Sequence, residues 1–260
     1  MKKLFAALLA LALVPSLGSA AVKSMPVEYQ QGGAVLQGWL AWDDAAKGKH
    51  PGVLLVHDWM GVTDHQKEQV EKLAALGYVA LACDIYGKGV RPANAQAAGA
   101  EAGKYYKDRA LARARVRAGL DYLAARPQVD VARLAVTGYC FGGLVALELA
   151  RSGAPVQAVV TFHGSLASGS PEDAKGIKAS VLVLHGADDP YVKQEEVKSF
   201  MDEMRAAGAD WQVVQYSGAV HSFTDVRAGT DNSKGAAYNP LAEKRSWQAM
   251  KDFLAEKLGK

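Results

Sequence analysis

The sequence predicts an α/β protein with one mostly parallel central sheet and helices on both faces. Three observations predict it. Short apolar runs alternate along the chain with longer stretches of helical spacing. Glycine or proline punctuates nearly every junction between them. Several of the apolar runs end in polar residues, as buried parallel strands do where they emerge at a sheet edge.

The elements follow in order. Val27–Gln31 and Val35–Trp42 read as two strands joined by Gly32-Gly33, a hairpin signal. After Pro51-Gly52, Val53–Val56 is a buried strand that ends at His57 and Asp58. Asp64–Gly77 carries Val70, Leu73, Ala74 and Leu76 on one helical stripe. Val79–Tyr86 is the next strand. A long Ala/Arg-rich helical region then runs to Arg126, with Pro127 beyond its end. Leu134–Tyr139, Val156–Phe162, Val181–His185 and Trp211–Tyr216 read as strands. Phe141–Ser152, Lys193–Ala207 and Ser246–Leu258 read as helices, the first two closed by Gly153 and Gly208. Asp225–Pro240 is a long loop rich in Gly, Asn and Ser, a length that is uncommon unless the loop is functional or disordered. The charges at Arg109–Arg117 read as the solvated face of a helix.

Composition narrows the function. The 260 residues hold 30 Lys+Arg against 27 Asp+Glu, and two cysteines. Two cysteines exclude a disulfide scaffold and a zinc site built on cysteine pairs. Residues 1–20 have a basic start at Lys2 and Lys3, an apolar run from Leu4 to Val14, then Pro15, Gly18, Ser19 and Ala20. That is the layout of a secretory signal peptide, cleaved after Ala20 or Ala21, and its apolar run falls short of the roughly twenty residues needed to span a bilayer. The expected organisation is therefore a signal at 1–20 and a single domain at 21–260, released to the periplasm or secreted. Without Lys2 and Lys3 the chain is nearly neutral, which argues against nucleic-acid or anionic-membrane partners.

Gly138-Tyr139-Cys140-Phe141-Gly142-Gly143 lies between a predicted strand and a predicted helix. It is the nucleophile-elbow pattern with Cys in place of Ser. The nucleophile sits on a strained turn, flanking glycines let strand and helix approach, and the helix N-terminus favours thiolate. Two later motifs complete the set. His185-Gly186-Ala187-Asp188-Asp189-Pro190 follows the strand Val181–His185, and Val220-His221-Ser222-Phe223 follows Trp211–Tyr216. The chain order nucleophile, acid, histidine is that of α/β-hydrolases. Histidine moves the proton and the acid fixes its tautomer. The acid position three residues past Gly186 selects Asp189 and leaves Asp188 to the turn.

With these motifs, His57-Asp58-Trp59-Met60-Gly61 and Ala82-Cys83-Asp84-Ile85-Tyr86-Gly87, the chain resembles the dienelactone hydrolase family of α/β-hydrolases from the Val53 strand to the last helix. The resemblance implies a catalytic triad of Cys140, His221 and Asp189. It implies an oxyanion hole from the backbone amides of Phe141 and Trp59. It also implies a small-molecule ester or lactone substrate and an acyl-cysteine intermediate, with no cofactor and no metal; a monomer is expected.

Two positions depart from the family pattern. Asp58 stands where well-known members carry Glu, a carboxylate tied to thiol activation. Asp58 is thus a thiol-activating candidate; the other reading is a strand-end Asp that bonds loop amides. Asp225 stands four residues after the histidine, where members acting on dienelactone place a carboxylate-binding arginine. An acid there disfavours the anionic lactone relative to neutral or cationic esters, unless Arg91, Arg109 or Arg227 compensates.

Among the strand-end aromatics, Tyr86, Tyr139 and Phe223 are pocket candidates, with plain core packing as the other reading. His57 and His163 also end strands and read as structural, since no third metal ligand has diagnostic spacing. One strand separates Cys83 from Cys140, so both are expected as free thiols. A thioesterase or acyltransferase with the same triad, and a non-catalytic binder on the same scaffold, are the alternative functions.

Overall fold

The computed structural model describes residues 21–259. The signal reading falls on residues 1–20, outside the described residues. The chain starts with a hairpin of β1 (Val22–Gln31) and β2 (Ala34–Asp43), turned by Gly32 and Gly33 at φ 54° and 79°. Positive φ at both central residues suits the right-handed twist of a two-residue hairpin, and glycine adopts it without steric cost.

Next come β3 (His50–Val56), α1 (Asp64–Ala75), β4 (Val79–Cys83), α2 (Ala95–Lys107) and α3 (Arg109–Ala124). They are followed by β5 (Val129–Tyr139), α4 (Phe141–Arg151), β6 (Ala158–Phe162) and β7 (Ser180–Gly186). The chain closes with α5 (Gln194–Ala207), β8 (Trp211–Tyr216) and α6 (Pro240–Leu258). The eight strands lie in the order β1-β2-β4-β3-β5-β6-β7-β8, parallel from β4 onward. The strand order reverses between β3 and β5. Open parallel sheets hold their ligands at that switch point, beyond the carboxyl ends of the strands.

Side-chain alternation builds two cores. Leu54 and Val56 of β3 pack with α2, α3, α4 and α5, whereas Val53 and Leu55 pack with α1 and α6. Every residue of α4 is buried, including the charged pair Glu148 and Arg151 near its end. Its fully buried leucines each contribute roughly 1.5–3 kcal/mol.

Two helices differ from the sequence expectation. The long Ala/Arg-rich region is broken at Asp108, which closes α2 and caps α3 through its side chain on the amide of Leu111 (2.8 Å). The last helix starts at Pro240 rather than Ser246, because Asn239 caps the amides of Leu241 and Ala242 and proline suits the first helical position. The charged face of α3 is also only partly solvated. Arg117 pairs with Asp121 in the open, but Arg113 turns inward to Glu148 (2.8 Å) and to Asp173. The cause is Glu148, an acid buried in α4, which needs cationic partners there.

Candidate active site

Six parallel strands, β3 to β8, release their chains toward one edge of the sheet. Cys140 follows β5, His163 follows β6, Asp189 lies beyond β7 and His221 beyond β8. Asp58 and Trp59 follow β3.

The elbow at Cys140 depends on close backbone approach. A Cβ on Gly142 would fall on the carbonyl oxygens of Val56 and His57, and one on Gly138 would strike the backbone of Gly142. Glycine at both places lets α4 start directly above β3. Cys140 itself adopts φ 54° and ψ −117°. Among the described residues the other non-glycine residues with positive φ are His163 (40°) and Ser222 (57°). All three flank the same edge, where strain is tolerated because the surroundings over-determine it.

His221 Nε2 lies 3.0 Å from Cys140 Sγ, and His221 Nδ1 lies 2.8 Å from Asp189 Oδ2. The other oxygen of Asp189 accepts from the amides of Tyr191 (2.8 Å) and Val192 (3.1 Å), so the carboxylate cannot turn away. Asp188 accepts from the amide of Gly218 (3.0 Å) and serves the turn. The long 225–240 loop is ordered into short 3₁₀ turns and bonds back to the histidine. His221 N donates to Gly235 O (3.1 Å) and Ala237 N donates to His221 O (3.0 Å).

Burial alone would lower the His221 pKa. The negative charge of Cys140 and the hydrogen bonds with Asp189 and Cys140 outweigh it, and His221 is pushed up to about 10.

Phe141 is the first residue of α4, where an N–H has no carbonyl one turn earlier to bond. The Trp59 peptide is anchored by Tyr86, whose hydroxyl donates to Trp59 O (3.0 Å).

Asp58 does not meet the thiol. Its oxygens accept from Met60 N (2.7 Å) and from Gln66 Nε2 (2.9 Å), so it holds the loop after β3. The missing methylene explains this, since a short side chain folds back on its own loop. Tyr86 and Phe223 line no hollow at the site. Tyr86 is buried under Trp59, and Phe223 is buried against His163 and Tyr216. Tyr139 does line one, stacked on Phe162 with centroids 4.6 Å apart. His57 Nε2 lies 3.1 Å from the amide of Ile85 and His163 Nε2 lies 2.8 Å from Thr224 Oγ1.

The three arginines are engaged elsewhere or locally. Arg91 donates to the carbonyls of Val62 and Gln37, and Arg109 lies 3.9 Å from Glu148. Arg227 lies at the cleft, between Asp225 (3.3 Å) and Glu68 (2.8 Å). Cys83 and Cys140 are both free, with β3 between their strands. Gln66, Tyr106, Ser165 and Tyr191 also shape the site and were not singled out by motif. Tyr191 carries the one available signal, two residues after Asp189.

The model of the dienelactone hydrolase family matches residues 36–258. This chain belongs to the dienelactone hydrolase family. Its α/β-hydrolase fold and its activity as a carboxylic ester hydrolase on a small-molecule substrate follow from that membership. A Salmonella typhimurium protein named "Putative carboxymethylenebutenolidase" is 30% identical over 93% of this chain and 89% of its own length. A dienelactone hydrolase-like promiscuous phosphotriesterase from metagenomic libraries is 44% identical, with a TM-score of 0.87 over 91% of this chain and 98% of that one. An acetyl xylan esterase from Paenibacillus is 18% identical with a TM-score of 0.68, covering 94% of this chain and 86% of its own, and shares the fold. No helix among the described residues of this dienelactone hydrolase family member is long and apolar enough to cross a membrane.

Proposed function

We propose that this hydrolase cleaves carboxylic esters or lactones through an acyl-cysteine, outside the cytoplasm, after removal of residues 1–20. The observation that carries the reading is the continuous chain from Cys140 Sγ through His221 to Asp189. The Cys140 thiolate attacks the ester carbonyl and an Sγ–C bond forms. The carbonyl oxygen takes the electron pair and meets the amides of Phe141 and Trp59. Collapse breaks the C–O bond, and His221 Nε2 gives its proton to the departing alcohol. Water, losing a proton to His221, then attacks the thioester; the acid leaves and the thiolate is restored.

Intact-mass spectrometry during turnover of p-nitrophenyl acetate is expected to find an acetyl group on Cys140, formed in a burst of about one equivalent per chain. A burst without any mass on Cys140 would sink the covalent reading, and no burst at all would favour a non-catalytic binder. Asp189→Asn is expected to lower kcat by roughly 10⁴-fold, because the carboxamide misplaces the histidine tautomer. Asp188→Asn should stay within a few-fold, and the reverse pattern would exchange the two roles. Peptide mapping of the exported protein, beginning at Ala21 or Val22, tests the localisation.

A second reading is supported by the 44% identical relative named a promiscuous phosphotriesterase. The same thiolate would attack the phosphorus of a neutral triester and expel its aryl oxide. Paraoxon hydrolysis lost in Cys140→Ala is the expected result.

A further inference from the structure

The nucleophile sits at the junction of two hollows that share Trp59, Cys140, Ser222 and Ala236. The first, of about 410 Å³, is walled by Tyr106, Ser165, Tyr191, Val192 and His221. The second, of about 470 Å³, is walled by Asp58, Asp64, His65, His163, Asp225 and Arg227, among others. The two differ in chemistry. Both have largely apolar walls, but the second adds a set of ionisable side chains that the first lacks.

Proton transfer decides which half of an ester each hollow receives. The leaving oxygen must come within hydrogen-bond reach of His221 Nε2. His221 is a wall of the first hollow, so the alcohol half departs on that side and the acyl half extends into the second.

Charge then decides what acyl half fits. The second hollow presents three carboxylates, of which Asp64 is exposed and paired with Lys67 (2.9 Å), so Asp58 and Asp225 face one guanidinium, that of Arg227. Arg227 is already forked between Asp225 and Glu68. His65 lies 3.8 Å from Asp225, and burial lowers its pKa, so it adds no cation at neutral pH. His163 is buried on the same wall, and its Nδ1 has no protein partner.

Resting on the ester-hydrolase reading above, we propose that the second hollow selects acyl groups ending in a cation or a hydrogen-bond donor, with Asp225 and Asp58 as the selecting residues, while the first accepts an aryl or alkyl leaving group. Asp58 is held only by neutral donors, Met60 N and Gln66 Nε2, and Asp225 shares its one cation with Glu68, so the wall keeps an excess of negative charge that attracts a cation and repels an acid.

The test uses p-nitrophenyl esters of equal acyl length that end in methyl, trimethylammonium or carboxylate. For the wild type, kcat/KM is expected to be at least ~10-fold higher for the trimethylammonium ester than for the carboxylate ester, as a charge contact at intermediate dielectric supplies. Asp225→Asn and Asp58→Asn should each shrink that ratio several-fold. A carboxylate ester turned over as well as the cationic one would overturn the proposal. So would an unchanged ratio in both variants, or an equal preference when the trimethylammonium is moved to the alcohol half. Turnover of all three esters that survives Cys140→Ala would instead strike the acyl-cysteine reading and not the selection between hollows.

Discussion

Replacing Cys140 with alanine is expected to cut steady-state ester turnover by at least ~10⁴-fold and to abolish the burst, with the fold intact. The magnitude follows from the loss of the only group that forms the covalent bond; the oxyanion amides and the hollows remain and leave a small residual rate. The fold should survive for a local reason. Cys140 holds φ 54° with a Cβ already present, so alanine adds no new steric demand at this turn. The lost hydrogen bond is to His221, and the half-buried Cys140 packs against one core only from its rim, so the cavity left is small. Cys83 offers no rescue. It is fully buried, and desolvation, with the charge of Asp84 beside it, raises its thiol pKa far above the usual range. Stopped-flow release of p-nitrophenol, read beside circular dichroism, separates catalysis from folding. A burst of unchanged amplitude in a folded Cys140→Ala protein would place the nucleophile elsewhere.

Arg151→Met is expected to destabilise the protein by about 3–5 kcal/mol. Arg151 is buried and donates to Glu203 through Nε (2.9 Å) and Nη2 (2.8 Å), and to Glu148 through Nη1 (3.2 Å). It also donates to the carbonyls of Leu166 and Ala167 (3.1 and 3.3 Å). Removing the guanidinium leaves Glu203 without its buried cation and Glu148 with Arg113 and Arg109 at its rim. Uncompensated carboxylates cost more than the pair itself contributes. For a chain of this size the loss corresponds to a thermal midpoint roughly 10 °C lower. Adding Glu148→Gln and Glu203→Gln should recover part of it, because neutral amides tolerate the same burial. A triple variant no better than Arg151→Met would locate the cost in the lost carbonyl contacts. The midpoint by calorimetry reads both. Ser165 of the same segment faces the first hollow, and Glu196 holds it through Ser165 Oγ (2.8 Å) and the amide of Ala167 (3.0 Å).

What could be read from the residues depended on whether a local rule governed them. The strands β5, β7 and β8 were readable from apolar runs bounded by glycine and polar residues, and each carries one of Cys140, Asp189 and His221 just past its end. Topology does the rest, because parallel strands in one sheet bring those three loops to one edge. The break at Asp108 was hidden by helix formers on both sides, with an aspartate that reads equally well as a surface residue. Asn239-Pro240 looked like a loop end, and only the capping bonds show it to open α6. The inward turn of Arg113 was invisible because its partner Glu148 lies on another helix. The two hollows were the least readable feature. Tyr106 ends α2 and Tyr191 lies in a loop, and neither position carries a period that distinguishes pocket from surface.

The packing at the elbow also divides the molecule by mutational freedom. Gly138 and Gly142 have no space for even one more carbon, so the frame that presents Cys140 admits almost no drift. Tyr191, which is 60% exposed, and Asp225 and Arg227 on loops beyond β8 bear little of that packing. Change in this lineage can therefore accumulate on the rim while the frame stays constant. Descendants of such a chain can alter which esters they consume by a few loop substitutions, without repeating the search for a stable fold.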